Sequence, residues 1–309
     1  MYHGILNVYK EAGCTSHDVV ARLRGICKQK KIGHTGTLDP DAVGVLPVCL
    51  GNATKLSDML TDRQKEYVAD FRLGVTTDTQ DISGRILEER EVLVSPSQVR
   101  EAVFSFLGDS LQVPPMYSAL KVGGKKLCDL ARAGKEVERR PRPVTIYSIE
   151  LLREEHPDYT IRVSCSKGTY IRTLCHDVGE LLGCGGVMTG LKRTRVGEFW
   201  IEQAYTLEEL QKLSESGELG KVLLPVEYMF RALPGFKAGR EDYRALRNGN
   251  QLNFRTAGVL REGKGANLPF SEGQEFRMYS HENTFYGIYR YDEVRGLLVP
   301  VKMFLPEEG

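Results

Sequence analysis

The sequence predicts an α+β fold in two unequal parts. Stretches with the period of two expected of strands follow stretches with helical periodicity, but not in the strict alternation of a parallel βαβ array. Several helix starts carry a Ser or Thr cap with an acidic or amide partner three residues on. The character of the chain changes near residue 231, after which short strand-like runs dominate. A length of 309 residues fits about two domains. The expected division is residues 1–230 and residues 231–309, with a basic, glycine-containing insert at about 121–143 in the first part.

Taken in order, GILNVYK reads as a short strand. TSHDVVARLRGICKQKK reads as an amphipathic helix capped by Thr15 or Ser16, with Val19, Leu23, Ile26 and Cys27 on one face. EYVADFRLGV alternates, setting Tyr67, Ala69, Phe71 and Leu73 on one side of a strand. TTDTQDISG is a polar loop. SPSQVREAVFSFLG opens a helix with Ser95 as cap, Pro96 at the first position and Gln98 as capping-box partner. Strands follow in RPVTIYSIELLREE and YTIRVSCSKG. TYIRTLCHDVGELLG is a helix capped by Thr169, burying Ile171, Leu174, Cys175, Val178, Leu181 and Leu182. Thr206 and Glu209 form a further capping box. In the tail, REDYRALRNG is a short helix, and GQEFRMY, TFYGIYR and LLVPVKMF are strands.

Composition narrows the function classes. No apolar run approaches the ~18 residues of a membrane helix, and the N-terminus lacks the basic and apolar regions of a signal peptide. Seven cysteines occur without a C-x-x-C pair, which argues against a disulfide framework or a zinc ribbon and for a reducing, cytoplasmic setting. Net charge is only +1, yet cations cluster. Arg22, Arg24, Lys28, Lys30 and Lys31 form a run without an acid. Lys121, Lys125, Lys126, Arg132, Lys135, Arg139, Arg140 and Arg142 face only Asp129, Glu136 and Glu138. LKRTR is a third knot. Basic stripes on a near-neutral chain fit either solvated helix faces or a phosphate-backbone footprint.

GHTGTLDPDAVGVLPVCLG, residues 33–51, raises the question of chemistry. It holds neither the phosphate-loop pattern nor a dinucleotide fingerprint. His34, Asp39 and Asp41 lack metal-ligand spacing, as do Cys175, His176 and Cys184, so neither a metal nor an organic cofactor is expected. Asp39 precedes Pro40, which biases its backbone toward extended geometry at the lip of an apolar segment. It reads either as a turn residue or as a fixed carboxylate for covalent catalysis. Arg172 sits in the first turn of a helix, where the dipole disfavours a cation by a few tenths of a kcal/mol. A tertiary anion or phosphate partner would explain it, and Asp39 is the candidate; such a pair would keep the carboxylate ionised and aimed. Tyr67 and Tyr170 are either packing residues or platforms for an unstacked base.

The assembled motifs GHTGTLDPDAVGVLPVCLGNATK, KEYVADFRLGVTTDTQDISG, VPPMYSALKVGGKKL, CSKGTYIRTLCHDVGELLGCGG and LKRTRVG, in this order, closely resemble the bacterial TruB family of tRNA pseudouridine synthases from about residue 4 to 230. The tail resembles that family's small PUA-like RNA-binding domain. The resemblance implies a mixed or antiparallel central sheet flanked by helices, with a mostly β tail. It implies isomerisation of the uridine at position 55 in the T-loop of tRNA to pseudouridine, without guide RNA, metal or organic cofactor. By motif, Asp39 matches the catalytic aspartate and Arg172 the arginine that pairs with it. His34 matches a histidine filling the space of flipped nucleotides, Tyr67 the tyrosine stacking on the target base, Tyr170 a substrate-contacting tyrosine, and Leu191 a leucine lining the uracil pocket. Lys121, Lys125, Lys126, Arg132, Arg139, Arg140 and Arg142 fall in the insert that closes on the RNA stem-loop. Asp41 is assigned to turn structure.

The start VYKEAG departs from a D-K-P-x-G-like pattern, keeping Lys10 and Gly13, which bears on local loop geometry rather than on chemistry. Two other readings compete: a tRNA-folding chaperone with incidental or lost isomerase activity, and a guide-dependent synthase subunit. A monomer without membrane association is expected. The cysteines read as packing residues. Cys175→Ala should therefore cost about 1 kcal/mol of stability before it affects activity; retained stability with abolished turnover would refute this.

Overall fold

The computed structural model describes residues 1–253 and 271–305. In chain order the first part comprises β1 (Gly4–Lys10), α1 (Ser16–Cys27), β2 (Ile32–His34), β3 (Val43–Leu50), α2 (Ser57–Thr61), β4 (Lys65–Leu73), β5 (Val75–Thr77) and β6 (Ile86–Glu89). It continues with α3 (Pro96–Phe104), β7 (Gly108–Gln112), β8 (Lys121–Val122), β9 (Lys125–Lys126), α4 (Leu127–Arg132), β10 (Arg142–Glu155) and β11 (Asp158–Cys165). It ends with α5 (Ile171–Leu181), β12 (Gly186–Val196), β13 (Phe199–Trp200) and α6 (Leu207–Glu215). The tail adds β14 (Gly235–Lys237), α7 (Tyr243–Arg247), β15 (Leu252–Asn253), β16 (Glu275–Tyr279), β17 (Phe285–Asp292) and β18 (Leu297–Met303).

Alternation in β4 buries Lys65, Tyr67, Ala69, Phe71 and Leu73 on one face, and β4 is the middle of a nine-stranded sheet. Its order is β1-β3-β12-β4-β11-β10-β7, with β2 beside β3 and β13 beside β12. Pairings are antiparallel except between β12 and β3, where Lys192 and Arg193 lie opposite Val43 and Gly44 in parallel. That short parallel junction sits where the segment carrying Asp39 enters the sheet. Tyr67, Ala69 and Phe71 pack with Ile161, Val163, Leu174, Cys175 and Val178, joining β4 and β11 to α3 and α5. A second cluster sets α1 and α6 against β1 and β3 through Val19, Leu23, Leu207 and Leu210.

The expected capping boxes at Ser95–Gln98 and Thr206–Glu209 form, and at α1 the cap is Thr15 rather than Ser16, closing a further box with Asp18. One cap differs from expectation. Helix α5 starts from Tyr170, not Thr169, whose hydroxyl donates to the Ser166 carbonyl at 3.1 Å. Gln112 supplies what a cap would: its amide oxygen accepts from the Tyr170 N–H at 2.8 Å and its amide nitrogen donates to the Tyr170 carbonyl at 3.0 Å.

The tail strands form a five-stranded sheet, β14-β16-β17-β18-β15, around Phe236, Leu246, Phe276, Tyr289 and Leu298. Of the expected 231–309 unit, residues 254–270 and 306–309 lie outside the described residues. Ile288 and Phe304 of this unit share an apolar cluster with Ile5, Val45 and Cys49 of the main sheet. Asn52 and Lys55 donate to the carbonyls of Phe304 and Met303 at 3.2 and 2.9 Å. All seven cysteines are free thiols, and among the described residues no helix is long and apolar enough to cross a membrane.

Helix α5 reaches the sheet by close backbone approach. A Cβ on Gly179 would lie 2.1 Å from the Gly186 nitrogen, and one on Gly186 would lie 2.6 Å from the Cys175 carbonyl oxygen. Neither contact can yield without moving backbone. Gly179→Ala should cost about 3 kcal/mol and lower the melting temperature; an unchanged melting temperature would show that the helix can shift freely.

Candidate active site

Asp39 lies between β2 and β3, in a segment held on every side. The Asp39 carbonyl accepts from the Ala42 N–H at 3.1 Å, closing a turn with Pro40 second and Asp41 third. The Ser16 hydroxyl, fully buried at the start of α1, accepts from the Leu38 N–H at 2.9 Å and donates to the Leu38 carbonyl at 3.3 Å. The Lys10 ammonium, also fully buried, donates to the carbonyls of Glu11, Pro40 and Ala42 at 3.0, 2.8 and 2.7 Å. The Gly13 N–H donates to the Pro40 carbonyl at 3.1 Å. The segment VYKEAG thus retains its grip on the loop although the proline and acid are missing.

Arg172, at the second position of α5, is 5% exposed. Its Nε lies 3.1 Å from Asp39 Oδ2, and one Nη2 hydrogen is directed at Asp39 Oδ1 at 3.3 Å. Nη1 donates to the Thr79 carbonyl at 3.1 Å and to Asp81 Oδ2 at 3.2 Å, and Nη2 also donates to the Tyr117 carbonyl at 2.8 Å. A guanidinium has five N–H groups; the four on Nη1 and Nη2 are directed at acceptors, and Nε lies within ion-pair distance of Asp39. The expected Arg172–Asp39 pair is present, but Asp81 is a second carboxylate that sequence reasoning missed. Its signal lay in TTDTQDISG: Asp81 Oδ1 accepts from the Thr79 hydroxyl at 2.7 Å and the Ser83 N–H at 3.1 Å, an Asx-type turn.

The Asp39 side chain is 38% exposed. Burial pushes its carboxyl above the usual carboxylate range; Arg172 is the main opposing influence, and Asp81 reinforces the rise. The pairing with Arg172 expected to keep the carboxylate ionised is thus opposed by burial and by Asp81.

The other candidates converge unevenly. Tyr67 on β4 is 7% exposed and lies in register with Arg193, while Leu191 lies in register with Ala69. Leu38, Ala42, Tyr67 and Ala69 form one cluster, with Leu191 half-buried against it. Burial raises the Tyr67 phenol. Tyr170 is half-buried beside Arg172, its phenol also raised by burial. His34 ends β2; its Nδ1 is buried without a partner, and burial lowers its pKa, favouring the neutral ring. His17 of α1 packs edge-on against it at 5.1 Å.

In the insert, Lys121, Lys125, Lys126, Arg132, Arg140 and Arg142 are exposed, whereas Arg139 is half-buried, directed at the Pro114 carbonyl and Glu136, both at 3.3 Å. Arg139 thus departs from the expected solvent-facing stripe because local acceptors claim it. The insert root is tied down: Leu127 N–H donates to Leu120, and Cys128 N–H to Ser118, next to the carbonyl that Arg172 uses.

Asp81→Asn should lower the midpoint of the Asp39 titration by removing a repelling charge, and should cost roughly 1–3 kcal/mol. Carboxyl NMR on labelled protein checks the first and thermal melting the second; an unmoved Asp39 midpoint would refute the shared site.

Residues 24–171 match the TruB family pseudouridylate synthase N-terminal domain, and residues 172–231 match the tRNA pseudouridylate synthase B C-terminal domain. The five-stranded sheet begins beyond that second match. A Lachnoclostridium phytofermentans protein named tRNA pseudouridine synthase B is 50% identical over 314 residues, covering 98% of this chain and 100% of its own length. One of that name from Clostridium kluyveri is 42% identical over 92% of this chain and 94% of its own. A Cbf5-Nop10-Gar1 complex contains a chain similar over 98% of this one and 85% of its own, with a TM-score of 0.69 and 29% identity. With two family domains matched end to end and relatives aligned over most of their length, the chain belongs to the TruB family of pseudouridylate synthases.

Proposed function

We propose that the chain converts the uridine at position 55 in the T-loop of tRNA to pseudouridine, without guide RNA, as a cytoplasmic monomer. The observation that carries this reading is a carboxylate at the edge of an apolar cluster, gripped on both oxygens by a buried arginine, beside Tyr67 and Leu191. Family membership and relatives named tRNA pseudouridine synthase B support the substrate class. They favour an enzyme over a chaperone that has lost activity.

The target base lies inside a folded loop, so it must be flipped out at a cost of a few kcal/mol. The exposed insert cations offer phosphate contacts, and a Tyr67 platform would return ~1–3 kcal/mol on stacking. The 231–309 unit, read as PUA-like, would extend the RNA-binding surface. Asp39 then acts at the ribose, either as nucleophile on C1′ or by starting glycal formation. The N1–C1′ bond breaks, uracil turns within the apolar cluster, and a C5–C1′ bond forms. C5 gives up its proton and N1 gains one, so atoms balance without a co-reactant. His34, neutral and half-buried, would fill space left by flipped nucleotides, and Tyr170 would contact the substrate.

An unmodified tRNA transcript, incubated with the purified chain alone, should form pseudouridine. Asp39→Asn should bind it normally and lose ~10⁴-fold or more in turnover. Asp39 must be ionised to act, so activity should fall on the acid side with a midpoint above the ordinary aspartate value of about 3.9. The folded pKa is raised. The associated stability is therefore present below the unfolded value and lost as pH rises through the folded one. Asp39→Asn should accordingly melt no lower than wild type at pH 7. Turnover by Asp39→Asn, or activity only with added guide RNA, would overturn the reading; binding without product by wild type would favour the chaperone.

A further inference from the structure

Among the described residues Arg193 is the largest fully buried side chain, 1% exposed; three of its N–H groups are directed at main-chain carbonyls, and the Tyr67 phenol is its side-chain neighbour. Nε donates to the Val45 carbonyl at 2.7 Å, Nη2 to Gly36 at 3.2 Å and Nη1, at longer range, to Thr37 at 3.5 Å. Among the described residues no carboxylate lies within ion-pair distance of it. A buried, unpaired guanidinium is costly compared with an apolar side chain of similar volume, so packing does not account for it.

Its placement does. On β12, Arg193 lies opposite Tyr67 on one side and Gly44 on the other. The approach to Gly44 is so tight that a Cβ there would lie 2.2 Å from the Arg193 carbonyl oxygen, and Gly44 adopts φ +109°, which a side chain would disfavour. Gly36 and Thr37 precede Asp39, and Val45 follows it in β3. Lys10 meanwhile holds Pro40 and Ala42. The loop is thereby suspended between two buried cations that grip its main-chain oxygens, leaving the Asp39 carboxylate to Arg172.

We infer that Arg193 is a positioning residue for the reaction, fixing the height of the Asp39 loop over the Tyr67 face by bracketing it at Gly36, Thr37 and Val45. This rests on the reading of Asp39 as the group that acts on the ribose. Arg193 acts through the loop, whose carbonyls its guanidinium holds.

The test uses the full chain and an unmodified tRNA transcript in single-turnover reactions, with RNA affinity and melting measured in parallel. Arg193→Lys keeps the charge but cannot span both flanks, and it is the variant expected to fold; Arg193→Gln is its neutral companion. Leu210→Ala, in the remote core of α6, serves as a control for general destabilisation. Arg193→Lys should slow the single-turnover step ~100-fold with RNA affinity within threefold of wild type, while Leu210→Ala keeps its rate. Amide exchange should rise at residues 36–42 in Arg193→Lys and not across the sheet. A wild-type rate in Arg193→Lys, or equal slowing in Leu210→Ala, would overturn the inference. Asp39→Asn run alongside separates the two readings: an inactive Asp39→Asn with a normal Arg193→Lys sinks only the positioning role, and an active Asp39→Asn sinks both.

Discussion

The buried guanidinium of Arg172 sets the terms for this site. A guanidinium this deeply buried must have an acceptor for each donor, because an unmet one costs its full desolvation. The acceptors come from three separate stretches of chain: Asp39 before β3, Thr79 and Asp81 between β5 and β6, and Tyr117 ahead of the basic insert. The arginine itself comes from a fourth, α5. Satisfying one side chain therefore assembles the loop, the polar turn, the insert root and the helix in a single place, and the twin glycines at 179 and 186 bring that helix close enough to the sheet.

Charge is distributed so that Asp39 is aimed without being locked. Its contacts to Arg172, at 3.1 and 3.3 Å, are longer than the ~2.7–2.9 Å of a strong charge-assisted bond. Asp81 takes part of the arginine, and burial raises the Asp39 pKa. A carboxylate in that condition is a stronger base than a fully satisfied one and parts from its partner at lower cost. The loop beneath it is rigid for a different reason: Ser16, Lys10 and Arg193 bind its backbone, where no substrate chemistry competes.

Sequence made much of this legible. Alternation in β4 put Tyr67 on the buried face, two capping boxes marked true helix starts, and the misplaced cation in the first turn of α5 pointed to an anionic partner. What stayed hidden depends on contacts far apart in sequence. Asp81 lies 91 residues from Arg172 in a turn whose composition reads as ordinary loop. Gln112 replaced the expected Thr169 cap from 58 residues away. Arg193 looked like one more member of a basic knot, since periodicity does not distinguish a cation turned inward from one facing water. The balance between burial and ion pairing at Asp39 likewise requires knowing how deep the carboxylate lies.

The seam between the two sheets has a mechanical meaning. Ile288 and Phe304 are packed among Ile5, Val45 and Cys49, and Asn52 and Lys55 bind the last strand's carbonyls. Rotating the small sheet would expose that apolar surface to water, so the joint resists bending rather than acting as a hinge. Val45 belongs both to this seam and to the strand that Arg193 grips. The molecule is thus built as a caliper with fixed jaws: any long ligand that reached both the tail unit and the Asp39 loop would be gauged by distance, and little ordering entropy would be lost on contact because the jaws are already set.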